Sequence, residues 1–267
     1  MTIYKGRVNC RKLADTIHGI LIKEGFKEIS TEITTNGRVY QSSATNEDKF
    51  YLQMIDPKDR YLRMGVYEDY TPSPTVGLPG TFTNGMYQDS VLWNSTYNYD
   101  RMEVDYIINA SNKHVLIWVS GMRAETGSVN TITYLGLPKR YATSDKDGTF
   151  AGFTSTANGW TNRYNTFNSL RSRNMEANYP YQLDFYMPTR SIGWGKRLFF
   201  SPIIVGSTAE GARGELQGIQ VVERTDKTVE LLHGDTFVYD GKNYMLVTPT
   251  AHGYDLLRNT YDYLIEI

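Results

Sequence analysis

Apolar and polar positions follow two periods along this chain, and the longer one is confined to a stretch near the start. Between Asn9 and Gly25 the apolar residues Leu13, Ala14, Ile17, Ile20 and Leu21 recur at spacings of three and four. Lys12, Asp15, His18 and Lys23 fall on the other faces, which makes the stripe of an amphipathic helix. Asn9 suits the first-turn cap and Gly25 the stop. The remaining periodic segments alternate by two or run apolar in short bursts. They predict strands over 32–41, 50–55, 61–67, 102–110, 114–120, 129–135, 181–187, 197–205, 216–223, 236–239, 244–248 and 261–267.

Two of these pairings are the most sharply written. Val104, Tyr106 and Ile108 alternate with Glu103, Asp105 and Ile107, and Ser111-Asn112-Lys113 then turns the chain into Val115 to Val119. That second run is apolar on both faces, the mark of a central strand. Near the end, runs holding Phe237, Tyr239, Tyr244 and Leu246 flank Asp240-Gly241, a two-residue hairpin signal. The closing alternation from Tyr261 to Ile267 predicts a last strand held in a sheet, with no tail for anchoring or tethering.

Three stretches lack a period and read as loops: 69–98, 148–173 and the glycine-rich 206–214. The segment from Tyr134 to Tyr141 reads as a junction. The expected fold is therefore α+β, predominantly antiparallel β. Residues 1–135 would form an α+β domain with the helix packed on a sheet. Residues 136–267 would form a β-rich, sandwich- or barrel-like domain with long loops.

Composition adds a reason for the long aromatic segments. Of 267 residues 13% are aromatic, with 21 Tyr against 10 Phe and 4 Trp, a balance suited to half-exposed sheets and interfaces. Met86, Tyr87, Leu92, Trp93, Tyr97 and Tyr99 crowd one excursion that would be costly to leave in water, so they are candidate subunit contacts. Trp160 and Trp194 join them. Basic and acidic residues number 28 and 29 with no block of like charge, which argues against a nucleic-acid or anionic-membrane partner. The N-terminus has no signal-peptide apolar core, and no run is apolar enough to span a bilayer. The expectation is a protein made in a cytoplasm that stays soluble.

Catalytic patterns fail one by one. The single cysteine, Cys10, excludes an intrachain disulfide and reads as a buried or neutral thiol. His18, His114, His233 and His252 lack metal-ligand spacing and read as surface or turn residues. Asp145-Lys146-Asp147-Gly148 begins like a calcium loop, but Thr154 stands where the closing acid belongs. Glu68-Asp69 or Glu103 with Asp105 could be imagined as a glycosidase pair, yet nothing holds them across a cleft. No nucleophile elbow, phosphate loop or dinucleotide fingerprint occurs, so no cofactor and no catalytic residue is expected. Trp93, Trp160 and Trp194 could instead stack on sugars, which gives a carbohydrate- or receptor-binding β-domain as the alternative.

Gly214-Glu215-Leu216-Gln217-Gly218-Ile219, Gly234-Asp235-Thr236 and Asp240-Gly241-Lys242-Asn243-Tyr244-Met245 together resemble the C-terminal part of tailed-bacteriophage virion structural proteins. The N-terminal helix, Leu92-Trp93-Asn94 and the run from Tyr134 to Tyr141 are similar too. The resemblance implies a non-enzymatic component of the virion tail, neck or baseplate. Its partners would be copies of itself and neighbouring virion proteins, in a symmetric assembly.

Overall fold

Strand β1 (Thr2–Asn9) hands the chain directly to helix α1 (Cys10–Lys23) in the computed structural model. The structure describes residues 1–30, 37–44, 48–56, 61–75, 80–87, 92–93, 102–123, 127–141, 150–157, 167–171, 192–194, 198–207, 211–224, 232–247 and 262–267. Asn9 is extended, at φ −63° and ψ 138°, and its side chain accepts the Arg11 N–H at 3.0 Å. That satisfies one of the donors that a helix start leaves unpaired. Gly25 follows the last turn at φ +92°. Asn9→Ala is expected to cost about 1 kcal/mol, read as a lower urea midpoint with an unchanged slope.

Strands β2 (Lys27–Ser30), β3 (Arg38–Gln41), β4 (Tyr51–Ile55), β5 (Tyr61–Thr71), β6 (Thr81–Tyr87) and β7 (Leu92–Trp93) come next. Then follow β8 (Glu103–Ser111), β9 (His114–Arg123), β10 (Gly127–Gly136), β11 (Lys139–Arg140), β12 (Phe150–Ala157) and β13 (Phe167–Arg171). The last are β14 (Ile192–Trp194), β15 (Leu198–Ser207), β16 (Gly211–Arg224), β17 (Thr236–Tyr239), β18 (Lys242–Val247) and β19 (Asp262–Glu266).

Among the described residues they form three antiparallel sheets, one of them curled into a half-barrel. The first runs β1-β8-β9-β10-β12-β13, and the second β14-β15-β16-β19-β18-β17 with β11 added at β16. The third runs β2-β3-β4-β5-β6, with β7 also on β5. The step from 135 to 136 lies at the end of β10, and β12, from beyond it, pairs with β10 from Gly136↔Ala151 to Asn130↔Ala157.

Strand β9 shows why its sequence is apolar throughout. Val115, Ile117 and Val119 enter one core, with the α1 residues Leu13, Ile17 and Leu21 and the third-sheet residues Leu52, Met64 and Val66. Leu116 and Trp118 point the other way, into a core shared with Ile203, Leu216, Ile219, Val221 and Ile265 of the second sheet. The first sheet is thus the middle layer, and α1 packs against it at β1 and β8. Each fully buried Leu or Ile here contributes about 1.5–3 kcal/mol of transfer free energy.

The second and third sheets also bury apolar residues on their remaining faces. Phe200, Val222, Phe237, Tyr244, Leu246 and Leu264 cluster on the second sheet. On the third, Val39, Tyr51, Tyr67 and Tyr70 cluster with Phe82, and the Tyr67 hydroxyl donates to Gln53 Oε1 at 3.0 Å.

Several expectations are met closely. The helix, the 104–120 hairpin, the buried Cys10 and the strand at 236–239 stand where the pattern put them. Asp240 and Gly241 both have positive φ, 48° and 70°, as a type I′ hairpin requires.

Other expectations need correction. The aperiodic 69–98 and 148–173 contain β6, β7, β12 and β13 as well as the end of β5. Of the glycine-rich 206–214, residues 206–207 and 211–214 lie on β15 and β16, with Gly206 opposite Ala212 and Ser207 opposite Gly211. Gly, Ala and Thr carry little pattern of their own, so ladder pairing with a well-patterned neighbour decides their state. The strands β1 and β2 were not expected at all. The segments 31–36 and 181–187, His252 and the Asp145-to-Gly148 turn lie outside the described residues.

Candidate functional site

The residues that the sequence marks for subunit contact fall mostly on short strands at or beside sheet ends. Strand β6 ends the third sheet, where Met86 stands opposite Val66 and Tyr87 opposite Gly65. Leu92 and Trp93 form β7, opposite Leu62 and Tyr61. Trp194 is in β14, which ends the second sheet, opposite Leu198. Among the described residues β6 and β14 each have a single hydrogen-bonded neighbour, and β13 passes close to β6 and β15 without pairing. Tyr97, Tyr99 and Trp160 lie outside the described residues.

A group of ionisable side chains sits where α1 crosses β2 and β3. His18 Nδ1 lies 2.9 Å from the Tyr40 hydroxyl and 4.0 Å from Glu28 Oε2. Arg38 reaches Asp15 at 3.0 Å and Glu28 at 3.8 Å. Burial keeps the Tyr40 phenol protonated, raising its pKa well above the ordinary tyrosine range. Arg38 bridges Asp15 of α1 and Glu28 of β2, which fastens the helix to the third sheet. The carboxylates considered as a glycosidase pair are separated in role. Glu103 is exposed, whereas both Asp105 oxygens accept from Arg7 at 2.8 Å, across the β1–β8 ladder.

A second polar group is internal, at the corner where the chain leaves the first sheet for the second. His114 pairs with Ser111 across the tight turn, as a turn histidine would, but is only 1% exposed, which corrects its reading as a surface residue. Its ring stacks on Tyr134, with centroids 5.3 Å apart and planes 11° from parallel. Nδ1 faces Ser111 Oγ at 3.1 Å and Gln217 Nε2 at 3.5 Å, and Nε2 is buried with no hydrogen-bond partner. The Tyr134 hydroxyl donates to the Leu137 carbonyl at 2.7 Å, and the Leu137 N–H to the Lys113 carbonyl at 2.8 Å. Beside them Asn109 Nδ2 donates to the Glu266 carbonyl of β19 at 2.8 Å.

Burial lowers the His114 pKa from 6.5 to about 4, so the ring is neutral at pH 7. A signal for this was available. His114 shares its side of the strand with Leu116 and Trp118, in a run whose two faces both read as buried.

Among the described residues no three His, Cys, Asp or Glu side chains are grouped to hold a metal ion. Among them, too, no helix is long and apolar enough to cross a membrane. Comparison of the chain with protein-family models, with curated proteins and with solved structures finds no match.

Proposed function

We propose that this chain is a non-enzymatic structural component of a bacteriophage tail, neck or baseplate, working through contacts between subunits in a symmetric virion assembly. One observation carries the reading beyond the sequence motifs. Residues marked for contact as large apolar or aromatic side chains, Met86, Tyr87 and Trp194, belong to strands that end their sheets. A terminal strand has one side of its backbone available to pair with another chain, and large apolar side chains beside it add buried area. Within this reading residues 1–135 and 136–267 are an α+β unit and a sandwich-like unit. Copies of the chain and neighbouring tail or neck proteins are the partners, and neither nucleic acid nor membrane is contacted directly.

Mass photometry of the purified full chain tests the proposal. Particles at multiples of 30.5 kDa, growing with concentration and reduced in Met86→Lys and Trp194→Lys variants, are expected. A single 30.5 kDa species at every concentration would count against self-assembly. Binding to wall glycans that disappears in Trp93→Ala or Trp194→Ala would favour carbohydrate recognition instead.

A further inference from the structure

The corner around His114 joins two layers through contacts that depend on one uncharged ring. Three segments meet there: the turn between β8 and β9, the link from Gly136 to β11, and β16 near Gln217. The link is short. Leu137 is held by Lys113 and Tyr134, and two residues later Lys139 pairs with Glu215 of β16. We propose that this corner is an acid-operated latch, in which protonation of His114 frees the 111–114 turn and the 137–140 link from β16.

Among the described residues the surroundings of the ring give the imidazolium no anion to pair with. On its own turn it meets the neutral Ser111 hydroxyl, and the adjacent Lys113 is exposed and cationic. From β10 it meets the Tyr134 ring, and from β16 the Gln217 amide. The Met1 ammonium also disfavours the protonated ring. Nearby carboxylates are already engaged: Glu215 with Lys139 at 2.9 Å, and Glu266 with Lys242 at 2.8 Å. Among the described residues neither ring nitrogen reaches a carboxylate.

In the imidazolium both ring nitrogens are donors: Nδ1 faces the Ser111 hydroxyl and the Gln217 amide, while Nε2 has no hydrogen-bond partner in a dry seam. Opening the corner hydrates the cation; His114 is no part of the core of α1 and the third sheet, and of the segments released only Leu137 belongs to it.

The sign follows from linkage. The ring binds a proton at about 6.5 when open and about 4 when closed, so the latch holds fully above pH 6.5 and weakens as pH falls toward 4. The open-to-closed ratio is expected to rise on the order of 100-fold between pH 7 and pH 4.

Hydrogen exchange with peptide resolution, corrected for the intrinsic pH dependence, tests this on the full chain. Peptides covering 111–114, 137–140 and 214–218 should lose protection on acidification, while those covering 13–21 and 51–55 keep theirs. In His114→Phe, which keeps an aromatic ring on Tyr134 but cannot titrate, the selective loss should vanish. Equal loss across all these peptides in the wild type, or selective loss that persists in His114→Phe, would overturn the proposal. Should that variant fail to fold, a wild-type NMR titration decides. A His114 ring titrating near 6.5 while the corner amides stay protected would refute the latch.

Discussion

Gly136→Ala is expected to remove about 3–5 kcal/mol of folding stability, a large share of what a domain of this kind possesses. Gly136 is the last residue of β10 and has φ +131°, which L side chains rarely adopt. A Cβ built there would stand 2.5 Å from the Lys113 carbonyl oxygen and 2.6 Å from the His114 Cα. Both obstacles are backbone, locked into the β8–β9 turn, so no side chain can swing aside. Backbone strain of about 1–3 kcal/mol and steric overlap of a similar size act together. Urea unfolding should show the midpoint falling with the slope unchanged. Gly19, on the exposed side of α1 with nothing within 4 Å, is the internal control. Gly19→Ala should be stabilising by about 0.4–1 kcal/mol. A cost below about 1 kcal/mol at Gly136 would show that the corner yields more readily than its geometry indicates.

Ile117→Ala and Leu116→Ala should each cost about 2–5 kcal/mol, although they empty different cores. Both side chains are almost fully buried on β9, at 0% and 1% exposure. Ile117 supports the layer of α1 and the third sheet, and Leu116 the layer of the second sheet. Deleting either leaves a cavity in a middle sheet that packs on both sides, where relaxation is limited. The pair also tests how the two halves of the chain are coupled. With β12 and β13 completing the sheet that β9 centres, both substitutions are expected to lower one common transition. Tryptophan fluorescence and far-ultraviolet circular dichroism should then coincide. Separate transitions, of which Ile117→Ala moves only one, would show that residues 1–135 and 136–267 unfold independently.

Legibility in the sequence tracked the strength of the local pattern. Helix α1 was readable because six buried positions recur at helical spacing between Asn9 and Gly25. The β17–β18 turn was readable because Asp-Gly tolerates two positive φ values in succession. Strands β6, β12 and β13 were not readable, since Thr, Gly and Asn interrupt alternation and the ladder that fixes them belongs to a neighbour. The aromatic residues proposed for contact could be named from composition, but their position on terminal strands depends on sheet order. That order follows from pairings such as β1 with β8, about a hundred residues apart in the chain.

By itself the sequence determined one amphipathic helix, a dominantly antiparallel β chain, a central strand at β9 and the absence of any recognisable catalytic motif. Those follow from short-range physics: the spacing of apolar side chains, capping groups and turn residues. Only the tertiary structure decided that the first sheet lies between two cores and that His114 is buried against Tyr134 at the corner. Burial and electrostatics depend on which distant surfaces meet, and no local pattern records that His114 would lie across from Gln217.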